Sequence, residues 1–170
     1  MDPAQQPSVR PADRKDVDSI VKFSAAMAWE TEHRRLDEAR LRQGTLSLFN
    51  SPSLGFFLVA EVRDSDRSLV IGQLMITYEW SDWRNGVFWW IQSVYVDPAW
   101  RRQGIFRRLL ETIMASAKAD PDVCGVRLYV EQNNQAAQMV YQRLGLSASG
   151  YKVYERDFVL TPGSAPGTSS

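Results

Sequence analysis

The chain is poor in reactive side chains and has no charge excess. It carries one cysteine, one histidine, and 20 basic residues against 20 acidic ones. A single thiol, Cys124, excludes an intramolecular disulfide and any cysteine metal cluster. That fits a cytoplasmic location, and a packed thiol at the start of a strand is its default reading. His33 has no partner nearby in sequence and is read as a surface residue. With no net charge there is no whole-molecule field to hold nucleic acid or an anionic membrane, so neither partner is expected. No apolar run approaches the roughly 18 residues of a membrane span, and Met1 to Gln6 lack the apolar stretch of a secretion signal. No metal is expected.

What is present is enough for one core: 170 residues, 44% hydrophobic and 11% aromatic. Residues 161–170 are Pro, Gly, Ser, Thr and Ala, cannot repay the entropy of ordering, and are expected to be a disordered tail. The domain is expected to span 7–160.

A short strand at Ser8 to Pro11 precedes Asp13, a candidate N-cap. Apolar or small residues at 17, 20, 21, 24, 25 and 28 then predict a helix ending near Trp29. A second helix is predicted over Leu36 to Phe49, stopped by Asn50, Ser51 and Pro52. Strands follow at Phe56 to Val62, Leu69 to Trp80 and Val87 to Val96, the last two joined by a hairpin turn at Asn85-Gly86. Gly104 opens a helix with one broad apolar face, and Val123 to Val130 reads as a strand. Asn134 to Leu144 reads as a helix stopped by Gly145, and Tyr151 to Leu160 as a last strand or pair of strands. The class is α+β, a mixed sheet covered by helices.

The chemistry concentrates where the fourth strand runs into the third helix, from Val94 to Arg108. A strand, a tight turn and a glycine at a helix start leave several backbone N–H groups unpaired, and the helix dipole there favours an anion. A pyrophosphate would fit. The run is neither a Walker loop nor a Rossmann fingerprint, and an ordinary helix start with solvated arginines has the same appearance.

Arg101-Arg102-Gln103-Gly104-Ile105-Phe106 resembles the pyrophosphate loop of the GCN5-related N-acetyltransferases (GNAT), Gln or Arg, two variable residues, Gly, one variable residue, then Gly or Ala. Phe106 departs from that pattern and leaves tight backbone contact possible only if its ring turns into the core with Leu110. The helix holding Asn134, Ala137 and Tyr141, with Gly145 after it, resembles the family's second signature and keeps its spacing of three, four and four. Trp90 to Arg101 and the preceding hairpin are similar to the diamine (spermidine/spermine, thialysine) acetyltransferases. Gln92 stands where those enzymes carry a glutamate base and Ser93 where an aspartate follows, which leaves a polyamine acceptor and the base open.

The resemblance implies a GNAT fold, a mostly antiparallel sheet of six to seven strands flanked by about four helices. It implies acetyl-CoA as co-substrate, bound by Val94, Tyr95, Val96, Arg101, Arg102, Gln103, Gly104, Ile105, Phe106, Arg107, Asn134, Ala137 and Tyr141. The fourth and fifth strands would splay, freeing peptide groups at Val94 and Val96 for the pantetheine arm. The Val94 N–H would stabilise charge on the thioester oxygen, and Tyr141 would protonate the departing thiolate. The alternative for Tyr141 is a helix aromatic packed in a core, a reading weakened by Asn134 and Ala137 beside it.

For the acceptor, Trp29, Glu30 and Glu32 fall at the end of the first helix, which the family uses as a wall of this site. Glu79 and Trp80 end the neighbouring hairpin strand. Carboxylates interleaved with indoles suit an ammonium group, and they equally suit a solvated helix end and a dimer contact. Gln92 completes the set. With no base on the fourth strand, the amine is expected to lose its proton through water toward Glu79 or Glu32. The expected partners are a small-molecule amine and a second copy of the chain, since four of six tryptophans lie between 80 and 90. A protein or peptide N-acetyltransferase and a catalytically silent acetyl-CoA-binding domain are the alternatives.

Overall fold

Helical spacing of apolar residues sets the first helix, and burial follows it: Val17, Ile20, Val21, Phe23 and Ala28 are the buried positions of α1 (Val17–Glu32). The structure is a computed structural model and describes residues 6–64, 67–130 and 134–159. The helix runs one turn past Trp29 and stops at His33, which takes a left-handed φ of 51° and donates its N–H back into the last turn. Helix α2 (Glu38–Asn50) begins at Asp37, whose carboxylate accepts from the Arg40 N–H at 2.8 Å.

Four antiparallel strands and one parallel strand form a single sheet in the order β1-β2-β3-β4-β5. They are β1 (Ser8–Pro11), β2 (Gly55–Asp64), β3 (Arg67–Ser81), β4 (Gly86–Val96) and β5 (Val123–Leu128). The expected hairpin between β3 and β4 is there, but it turns through a 3-10 segment, Asp82–Arg84, and Asn85 in the left-handed region at φ 44°, while Gly86 already pairs with Ser81 as the first residue of β4. On one face Ile20 of α1 and Leu48 of α2 cover Phe57 and Val59. On the other, Ile105, Leu109, Leu110, Ile113 and Ala117 of α3 (Ile105–Ala119) cover Leu74, Ile76, Ile91 and Val96. Helix α4 (Gln135–Arg143) brings Val140 and Tyr141 against that same core. Gly145, at φ 84°, stops it, with the Leu146 N–H bonded to the Tyr141 carbonyl at 3.0 Å.

The sheet has five strands among the described residues, not six or seven. Tyr151 to Val159 form no strand and lie exposed, while Leu160 falls outside the described residues. Strand propensity is the tendency to fit a paired, half-buried surface, and in this segment no ladder partner supplies one. The fifth strand also ends at Leu128, short of Val130. The tail expected at 161–170 lies outside the described residues.

One glycine is fixed by a close approach. Gly55 has φ 148°, and a Cβ placed on it would stand 1.9 Å from the Ile76 carbonyl oxygen, which is backbone and cannot swing aside. Replacing Gly55 with Ala is expected to destabilise the fold by about 3 kcal/mol, read as a lower midpoint in urea at unchanged slope.

Candidate active site

Strand β4 changes partners halfway along. From Val87 to Ile91 it pairs with β5, the last register pair being Ile91 with Leu128. On the β3 side Ile91 faces Ile76 and Ser93 faces Met75, so Gln92 is an extra residue, a bulge placed where β5 leaves. The bulge switches side-chain parity: Val87, Trp89 and Ile91 face the α3 core before it, Val94 and Val96 after it.

The peptide groups beyond the bulge can be assigned by alternation. Asp97 donates its N–H to the Ile71 carbonyl at 2.9 Å, so odd-numbered residues here bond to β3. Val94 and Val96 therefore direct their N–H and C=O groups toward the edge that β5 has vacated. The Val96 carbonyl is already used, accepting from Arg101 Nε at 3.0 Å. Val94 carries the open position.

The loop after β4 ends at Gly104, the N-cap of α3, with φ 81°. A Cβ there would meet nothing within 4 Å, so the glycine faces open space and is kept for its backbone conformation. Arg102 is also left-handed, at φ 61°. The first N–H groups of α3 have no intrahelical acceptor, which makes this end fit a phosphate. The side chains around it have local partners: Gln103 Nε2 donates to the Ala99 carbonyl at 3.3 Å and Arg107 Nε to Glu111 at 2.7 Å. Ile105 is buried in the core.

Phe106 turns inward. It packs on the core that contains Leu110, with its ring 6.0 Å from that of Tyr141. Val94, Phe106 and Tyr141 thus pack against one cluster although 47 residues separate the first from the last. Burial pushes the Tyr141 hydroxyl pKa up, so it holds its proton at neutral pH. Asn134 serves as the N-cap of α4, its side chain accepting from the Ala137 N–H at 3.1 Å.

The acceptor candidates do not form one group. Glu79 pairs with Phe88 across the hairpin and Trp80 with Val87, six and seven residues from Val94, or roughly 20 Å along the strand. The carboxylate of Glu79 is also occupied: Arg127 donates to Oε1 at 2.6 Å, and the Trp90 indole N–H donates to Oε2. Trp80 is exposed at the hairpin end. Glu32 pairs with Arg34 at 3.7 Å, and Trp29 stands exposed with His33 against its edge and Arg35 over its ring. Gln92 is exposed and donates to Thr77 Oγ1 at 2.7 Å. Gln92 adjoins the open edge, and Glu30 reaches it through Arg101, which holds the Val96 carbonyl.

Arg127, Tyr129 and Trp90 carry no site signal in the sequence. The Trp90 and Tyr129 rings lie 4.5 Å apart between centroids, tilted by 34°, and Arg127 lies 3.7 Å over Phe88. Alternation along β5 puts Gly125 and Arg127 on one face, but only the parallel register sets Gly125 beside Phe88 and Arg127 beside Trp90. Cys124 is half-buried, a free thiol. Among the described residues no group of three or more His, Cys, Asp or Glu could hold a metal, and no helix is long and apolar enough to cross a membrane.

Residues 16–146 match the model of the acetyltransferase (GNAT) family. A crystal structure of a possible acetyltransferase from Clostridium difficile 630 is 41% identical, covers 91% of this chain and 99% of its own, and superposes with a TM-score of 0.81. An aminoglycoside N-acetyltransferase in complex with CoA shares the fold at 11% identity, TM-score 0.71, covering 94% of this chain and 99% of its own. A putative acetyl transferase from Pyrococcus furiosus does so at 19% identity and TM-score 0.66, covering 89% and 100%.

Proposed function

Because the chain belongs to the acetyltransferase (GNAT) family and is an acetyl-CoA-dependent enzyme, we propose that its acceptor is the primary amine of a small molecule, which attacks the thioester directly at the open edge of β4. The observation that carries this reading is the bulge at Gln92, with β5 departing at Ile91, which leaves the Val94 N–H without a strand partner among the described residues, beside the core that holds Tyr141. Acetyl-CoA brings an activated thioester to the site. The amides of 102–107 at the start of α3 hold its pyrophosphate, and Gly104 gives them their conformation. Val94 donates its N–H to the oxygen on which charge develops, a contact worth on the order of 3 kcal/mol. Tyr141 supplies the proton that the leaving sulfur needs.

The amine must arrive neutral, and the group beside the open edge is an amide. Gln92 can position water through its donor and acceptor but cannot take a proton near neutral pH. Glu79, a strand length away and ion-paired to Arg127, is set aside as the base, and Trp80 as an acceptor contact. Deprotonation is therefore left to water. An alkylamine has a pKa near 10, so the rate is expected to climb with pH toward that value without the plateau a dedicated carboxylate would give. Gln92→Glu is expected to raise turnover on diamines by roughly tenfold or more and to create that plateau. An unaltered rate and pH profile in this variant would remove position 92 from the acceptor site, and with it the likeness to diamine acetyltransferases.

The same reading includes a homodimer in the cytoplasm. Its support is the pair Trp80 and Trp83, 61% and 84% exposed at the hairpin end. Sedimentation of the wild type against a variant with both replaced by serine tests it, a monomer in the wild type being the contrary result.

A further inference from the structure

Glu30, in the last turn of α1, has both carboxylate oxygens engaged. The Tyr95 hydroxyl donates to Oε1 at 2.6 Å and an Arg101 terminal nitrogen to Oε2 at 2.7 Å. The Arg101 guanidinium also lies 5.1 Å from the centre of the Tyr95 ring, and its Nε holds the Val96 carbonyl at 3.0 Å. Tyr95 itself is buried, with its ring 5.5 Å from Phe23 of α1. These contacts join residues 65 and 71 positions apart into one unit that spans α1, β4 and the root of the loop.

We propose that Glu30 and Tyr95 are positioning residues for the cofactor edge, clamping Arg101 so that the Val96 carbonyl and the 101–107 loop are held in register, and that Glu30 does not bind the acceptor. The inference rests on the reading of 94–107 as the cofactor edge. A carboxylate with one oxygen on a buried tyrosine and the other on an arginine has little left to offer a substrate ammonium. The arginine is equally committed, since its charge faces Glu30 and its Nε faces the strand, and what it gives the loop is a fixed starting point. An isolated ion pair at this exposure would do little. Anchoring to a buried ring, to the face of that ring and to a strand carbonyl gives the unit one geometry.

Glu30→Gln keeps an acceptor for Tyr95 and cannot pair with Arg101. It is expected to raise the KM for acetyl-CoA roughly three- to tenfold while leaving the amine KM and kcat within about twofold. Arg101→Gln is expected to do the same, and the double variant no more than either single one, as for residues that act as a unit. Thermal melts of the apo variants identify a merely structural role, which would lower the midpoint without splitting the two KM values. A rise in amine KM alone on Glu30→Gln, additive effects in the double variant, or no change in either KM would each overturn the clamp. If acetyl-CoA fails to raise the melting midpoint of the wild type, the cofactor edge itself is misplaced. If it raises it and Glu30→Gln behaves as wild type, only the clamp fails.

Discussion

Tyr141→Phe is expected to lower turnover about 10²-fold or more while leaving the affinity for acetyl-CoA nearly intact. The substitution removes one oxygen and keeps the ring, whose packing against the core and near Phe106 does not involve the hydroxyl. The direction of the pKa shift matters here. A reference tyrosine near 10 is already a weaker acid than a thiol near 8.5, and burial raises Tyr141 further, so proton donation to sulfur is uphill. What burial gains is constancy, because the group stays protonated through the working range. Activity is therefore expected to show no acid-group loss as pH rises from 7 to about 10, and to fall only above that. Wild-type turnover in Tyr141→Phe would remove the residue from the reaction.

The second large effect belongs to Gly104. Its φ of 81° is costly for a β-branched residue, and the space a side chain would occupy is empty in the protein, so bulk there intrudes on the ligand and not on the core. Wild-type protein at acetyl-CoA about 100-fold above Kd is stabilised by about 2.7 kcal/mol, visible as a rise of several degrees in the melting midpoint. Gly104→Val is expected to remain folded and to lose that rise. A full shift in the variant would place the pyrophosphate elsewhere.

Each of these two residues sits in a local pattern of the sequence, and the role proposed for it comes from the family resemblance of that pattern. Gly104 opens an amphipathic helix, and Tyr141 lies on a helix whose cap, Asn134, and stop, Gly145, are within a few positions. The central strands were legible in the sequence, since aliphatic and aromatic runs between turn residues carry their own period. The bulge at Gln92 was not. A one-residue excess on one strand is defined only against its partner, and nothing in the residue itself announces it. The same holds for Glu79, whose distance from Val94 and ion pair with Arg127 follow from two registers. The resemblance puts Glu30 in an acceptor wall by its place at the end of the first helix, whereas its partners, Tyr95 and Arg101, lie on β4 and the loop beyond. Tyr151 to Val159 have the composition of a strand and not the pairing, since propensity describes what a surface would accept.

The central claim, acetyl transfer to a small amine, is tested most directly by incubating the enzyme with acetyl-CoA and following free thiol release across a panel of monoamines, diamines, aminoglycosides and short peptides. The expected result is release with at least one small primary amine, well above the amine-free rate, and abolished together with the thermal shift in Gly104→Val. Binding of acetyl-CoA with no thiol release for any acceptor, or release with peptides alone, would contradict it.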